Sequence, residues 1–318
     1  MQPKNLLLGA ALCAAALDAS ASCGAAFCLV NTDWSSQGAW TEGGARFDLK
    51  YEFIDLDQPR AGRDKVGVGE IPRHHDEVET QNQNLVATVD WNLSPLWGLS
   101  VSIPYVDREH FHIHNHHGEK IEDRWNFTEL GDMRVLGRYV FTQSSNPEFP
   151  CQAGFTFGLK LPTGKYDVVN DDGDPAERTL QPGTGTTDAL LGAYWHSAKP
   201  LTGWSYFTRA QVVLPMNSRD EYKPGRQLQL DAGVRYSASR DVGLMLQANY
   251  IAKARDSGAN AEPEDSGQRL LYVSPGVSWN ASPNAQLYAF VQIPLYQAVN
   301  GVQLTADWSA MAGVSWRF

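Results

Sequence analysis

The chain has 318 residues, a formal net charge of −10, 42% hydrophobic residues and four cysteines. The acidic balance argues against nucleic acid as a partner. After the N-terminal apolar run no stretch approaches the ~20 continuous apolar residues of a membrane helix. Any membrane crossing must therefore use strands, whose hydropathy averages over two faces.

Residues 1–21 read as a secretory signal peptide. Lys4 precedes an apolar run from Leu6 to Leu17, and Ala19-Ser20-Ala21 supplies the small residues of a cleavage site. A run of about a dozen is too short to cross a bilayer as a helix. Acylation of Cys23 is the weaker reading, because Ser20 stands where a Leu is expected. Export into an oxidising compartment favours a small Cys23–Cys28 disulfide loop, although the same spacing permits a thiolate metal site. Cys151 is then the odd thiol. Residues 22–43 form a periplasmic N-terminal segment, and Phe27, Trp34 and Trp40 would give it something to bury as a plug in a lumen.

From residue 44 to 318 the chain alternates apolar and polar residues with period two, the pattern of strands with one face in lipid and one on a polar interior. Strands are expected near 44–55, 81–92, 97–108, 131–142, 151–161, 187–198, 203–215, 226–237, 242–254, 269–280, 285–297 and 307–318. Twelve is an even number, as single-chain bacterial barrels require. The connections alternate between short turns, such as Leu93-Ser94-Pro95-Leu96, and long polar loops near 56–80, 109–130, 162–186, 216–225, 255–268 and 298–306. Loop lengths segregated in this way describe an up-and-down antiparallel transmembrane β-barrel with both termini on the short-turn side. Trp91, Trp97, Tyr139, Trp195, Trp204, Tyr206, Tyr236, Trp279 and Trp316 fall at the short-turn ends in phase with the apolar face, as an interfacial girdle requires. Pro104, Pro162, Pro215 and Pro294 are expected where strands leave the membrane, since proline removes a ladder donor.

Five of the eight histidines lie in Arg108-Glu109-His110-Phe111-His112-Ile113-His114-Asn115-His116-His117. If the third strand continues upward, His110, His112, His114 and His116 share the lumen-facing side, about 6.6 Å apart in succession. Imidazoles so placed suit Zn, Cu or Ni, with Glu109, Glu119, Glu122 and Asp123 nearby, and His74, His75 and His117 as further contributors. A pH-responsive loop and a merely solvated one are the competing readings.

The opposite face of the strands sends Arg134, Arg138, Lys160, Arg209, Asp231 and Arg235 into the lumen beside Asp48, Glu52, Asp132 and Asp188. Such a mixture fits either ion pairs bracing the wall or a narrow channel whose arginines select anions. Twelve strands enclose too little for a general diffusion pore.

Leu161-Pro162-Thr163-Gly164-Lys165-Tyr166, an acidic loop, then Gly185-Thr186-Thr187-Asp188 with Leu191-Gly192-Ala193-Tyr194-Trp195 resembles the outer-membrane barrels associated with the MetA pathway of phenol degradation. The resemblance implies a transporter-like role and supplies no catalytic residues. The terminal strand, ending Trp316-Arg317-Phe318, resembles that of bacterial outer-membrane proteins in general, which their assembly machinery reads. The expected protein is an outer-membrane channel, not an enzyme. It would be embedded among outer-membrane lipids and lipopolysaccharide and would carry a small molecule or metal ion. A lipid- or lipopolysaccharide-modifying barrel enzyme and a non-conducting docking barrel are the alternatives.

Overall fold

The computed structural model describes residues 44–71, 76–116, 119–144, 146 and 148–318. The signal peptide, the plug segment, the Cys23–Cys28 pair, His74, His75 and His117 lie outside the described residues, as do the side chains of His114 and His116.

The described residues form strands and no helix. The first are β1 (Gly44–Leu56), β2 (Gln58–Ala61), β3 (Asp64–Lys65), β4 (Asp76–Asn92), β5 (Trp97–His116) and β6 (Glu119–Leu130). There follow β7 (Arg134–Ser144), β8 (Cys151–Lys160), β9 (Asp188–Lys199), β10 (Trp204–Pro215) and β11 (Gln227–Ser237). The chain closes with β12 (Val242–Lys253), β13 (Gln268–Asn280), β14 (Ala285–Val299), β15 (Val302–Thr305) and β16 (Ser309–Arg317).

The wall runs β4-β1-β16-β14-β13-β12-β11-β10-β9-β8-β7-β5, and the β4–β5 pairing closes it into a ring. Closure satisfies every edge, which is what a sheet needs in a solvent without hydrogen-bonding capacity. All twelve expected strands are present, and neighbours pair antiparallel throughout, as in Arg46↔Arg317 and Gly44↔Asn92 at the short-turn end. The outward residues form an apolar band that includes Leu85, Ile103, Phe157, Leu191, Leu230, Leu246, Leu287 and Leu295. Trp91, Trp97, Trp204, Tyr236, Trp279 and Trp316 stand between 39% and 53% exposed at its lower margin, where a hydrocarbon slab would meet headgroups. Cross-strand partners there pack with tilted rings: Trp97 on Tyr139 at 4.7 Å and Trp204 on Tyr236 at 4.9 Å.

The polar loop expected over 109–130 is instead a tall hairpin. β5 pairs with β7 from Trp97 to Ser102, then with β6 from Tyr105 to His116. The change of partner falls at Pro104, which has no N–H to donate and whose carbonyl accepts from Gly131 N at 2.9 Å. β6 and β7 are thus two halves of one wall strand, interrupted at Gly131-Asp132-Met133. The hairpin was hidden in the sequence because both of its faces carry polar residues. Its inner face nevertheless buries Val106, Trp125 and Phe127.

The long connections also do more than stand in water. Val168, Ala176 and Leu180 from the 161–187 loop pack with Ile54, Leu56, Trp125, Phe127, Leu304 and Ala306 in one buried apolar cluster. A small sheet, β15-β2-β3, joins two other long connections at this end. The extracellular end of the barrel therefore has an apolar core of its own.

Candidate functional site

Two groups of polar side chains face inward, one within the barrel and one under the hairpin. In the ring of twelve, β1 and β10 stand opposite one another, with five strands between them on either side. The wall of β1 and β4 carries Asp48, Glu52 and Asp90 with Arg46 and Lys50. Arg46 Nη2 meets Asp90 Oδ2 at 2.7 Å and Lys50 Nζ meets Glu52 Oε1 at 2.6 Å. Asp48 accepts from the Tyr288 hydroxyl at 2.8 Å. The opposite wall of β10 and β11 carries Arg209 and Arg235 with a single carboxylate, Asp231, whereas Arg134 and Arg138 stand on β7, separated from β4 only by β5. Asp231 accepts from Asn249 Nδ2 at 2.9 Å and lies opposite Arg209 in the β10–β11 register. Arg138 donates to Asn92, Arg235 to Ser237 and Arg209 to Gln211. All four arginines are half-buried. The charges acting on Arg134 come from Arg209, Glu52, Asp188 and Asp132, so side chains from both walls fall within electrostatic reach across the lumen.

Lys160 has a different role from the other expected lumen cations. Its ammonium is buried, 2.6 Å from Asp132 Oδ2 and 3.3 Å from Asp188 Oδ2, and donates to Thr186 O at 2.8 Å. Asp132 in turn accepts from Gly164 N and Thr184 N, each at 3.0 Å. The Thr163-Gly164 and Thr184-Gly185-Thr186 segments thus fasten the 161–187 loop to the gap between β6 and β7. A Cβ on Gly164 would lie 2.7 Å from Gly131 C, so the approach needs glycine.

Beneath the hairpin, His110 and His112 share the inner face of β5, as the upward continuation of that strand requires, and both are buried. His110 Nε2 lies 3.2 Å from His112 Nδ1 and 3.5 Å from Glu77 Oε2 on β4. Thr80 Oγ1 meets His110 Nδ1 at 2.8 Å, and Asp123 Oδ2 stands 3.7 Å from His112 Nε2. Trp125 packs on both rings, with centroids at 5.7 and 4.7 Å. Burial, with Arg108 adding to it, pushes the His110 imidazole down to about 3, so it stays neutral near pH 7. Glu77, His110 and His112 form a group whose ligand atoms all lie within 4.8 Å of one another.

Of the residues expected at a metal, His110, His112 and Asp123 come together, whereas Glu109 and Glu122 are exposed. Glu77 and Thr80 were not singled out. A bulge between Glu77 and Glu79 turns Glu77 to the inner face, and nothing in the local sequence marks it. His196, at the other end of the barrel, hydrogen-bonds Gln152 Oε1 at 2.7 Å.

Residues 72–310 match the model of a family described as a putative MetA-pathway of phenol degradation. No curated protein matches the sequence significantly. Among solved structures, an outer-membrane channel from Pseudomonas putida F1 superposes with a TM-score of 0.69 at 12% identity, covering 90% of this chain and all of that one. The NanC porin superposes with a TM-score of 0.44 at 10% identity, covering 86% of this chain and all of that one.

Proposed function

The chain belongs to the family described as a putative MetA-pathway of phenol degradation, and from that premise we propose that it is an outer-membrane channel for a small solute. The solute preferred is anionic, and the histidine-bearing hairpin holds a transition metal as part of the channel mouth. One observation carries the channel assignment: four half-buried arginines on β7, β10 and β11 line a lumen whose β1 and β4 wall carries mixed charge. Arg138 and Arg235 donate to the neutral Asn92 and Ser237, partners that do not cancel their charge for a passing ion, whereas Arg209 lies opposite Asp231. The fold shared with an outer-membrane channel supports the same conclusion.

The test is conductance in planar bilayers. Small single-channel currents with anion preference are expected, and Arg134→Ala together with Arg138→Ala should lower that preference. Absence of current under all conditions would favour a docking barrel, and strong cation selectivity would reject the anion assignment.

A further inference from the structure

We propose that Glu77, His110 and His112 form a buried zinc-type site that ties β4 to the extracellular hairpin. This deepens the metal-binding part of the proposed function and is independent of whether solute passes through the lumen.

Backbone geometry brings the three ligands together from two strands. Period two places His110 and His112 on one face of β5, and the β4 bulge, with Val78 as its extra residue, sets Glu77 opposite His112 and Thr80 opposite His110. The Nε2 of His110 and the Nδ1 of His112 face each other at 3.2 Å, and a Glu77 oxygen lies 3.5 Å from the first of them. An ion seated among these atoms would need only small rotations of the rings to reach the usual ~2.0–2.1 Å zinc–nitrogen distance. The outer ring nitrogens are already directed to partners. Thr80 stands at His110 Nδ1 and Asp123 at His112 Nε2, the arrangement that fixes tautomer and ring orientation in metal-bound histidines. Two imidazoles and one carboxylate match a zinc site that keeps a fourth position open.

The Glu77 carboxylate is itself buried beside the two rings, so it would bring a negative charge to a cation held there. Arg108, which precedes the pair on β5, donates to Asn82 and to the Leu180 carbonyl.

The experiment is equilibrium dialysis of the folded, chelator-stripped protein in detergent against Zn²⁺ buffered with nitrilotriacetate, with Co²⁺ absorption as a second readout. One Zn²⁺ per chain is expected, together with the visible Co²⁺ bands of a four-coordinate site. Glu77→Gln, which keeps side-chain volume, should weaken binding at least about tenfold, and Thr80→Val about tenfold through ring orientation alone. Replacing His110 and His112 by Ala together should abolish binding. Replacing His114, His116 and His117 by Ala together should leave the stoichiometry at one. Heat-modified gel mobility verifies that each variant remains a folded barrel, and Glu77→Gln decides the matter if the double histidine variant fails to fold. The proposal is overturned if the wild-type protein retains no Zn²⁺, if Glu77→Gln binds as the wild type does, or if binding follows the hairpin-tip histidines. Bilayer conductance of the same preparations separates this outcome from failure of the channel assignment.

Discussion

Lys160 on β8 and Asp132, in the gap between β6 and β7, meet at 2.6 Å in a buried ion pair that also holds the 161–187 loop. Asp188, the Thr184 hydroxyl and the Thr186 carbonyl surround the same ammonium, so the pair is hydrogen-bonded rather than merely desolvated. Asp132→Ala leaves Lys160 with less of its compensating charge. Removing one partner of a buried pair costs on the order of 3 kcal/mol. The expected result is faster proteolytic cleavage within 163–186 while the barrel stays intact on a gel, with larger single-channel currents if the released loop had narrowed the mouth.

Gly131 sits where β5 changes partner. A Cβ there would lie 2.9 Å from Pro104 Cγ and 3.1 Å from the Pro182 carbonyl oxygen, neither of which is the end of a flexible side chain. Gly131→Ala should therefore cost about 1–3 kcal/mol, the usual penalty for overpacking. A lower midpoint for heat-induced loss of the compact gel band would show it, whereas Gly173→Ala, with open space around its Cβ but a φ of +91°, should act only through backbone strain.

Glu177 in the 161–187 loop should make loop packing depend on pH. Burial, followed by the charges of Glu262 and Glu77 and a hydrogen bond with Glu262, raises its pKa well above the ordinary 4.5. A carboxyl raised in the folded state contributes stability that is fully present below the unfolded value and is lost as pH rises through the folded one. Amide exchange in 168–184 and 258–266, corrected for intrinsic rate and measured with chelator present, should show weaker protection as pH increases. Glu177→Gln should flatten that dependence. An unchanged slope in the variant would assign the effect to another group.

Glu52 and Lys50 pair at 2.6 Å on β1. Glu52→Gln removes a negative charge from the lumen and leaves the ammonium of Lys50 facing it. Reversal potentials in a KCl gradient should move toward greater anion preference, opposite to the change expected for the paired Arg134 and Arg138 substitutions.

The family resemblance rested on Leu161–Tyr166 and Gly185–Asp188, whose structural role became apparent only with the loop in place. Their glycines and threonines wrap Asp132 and Lys160. A lysine expected to face the solute is thereby shown to hold a loop. Sequence spacing could state that Lys160 points inward but not that two carboxylates, distant in sequence, meet it there.

The sequence by itself determined the barrel: strand number, facing, girdle and the short-turn end all follow from period-two alternation, because one face of every strand must suit lipid. It also determined that His110 and His112 share a face, since that depends only on strand continuation. Tertiary structure alone decided what meets those faces. The β4 bulge that aims Glu77, the change of partner at Pro104 and the apolar cluster of Leu180 with Trp125 all depend on contacts between segments far apart in the chain. No local pattern encodes such contacts, because a residue's hydropathy specifies that it is buried but not against which partner.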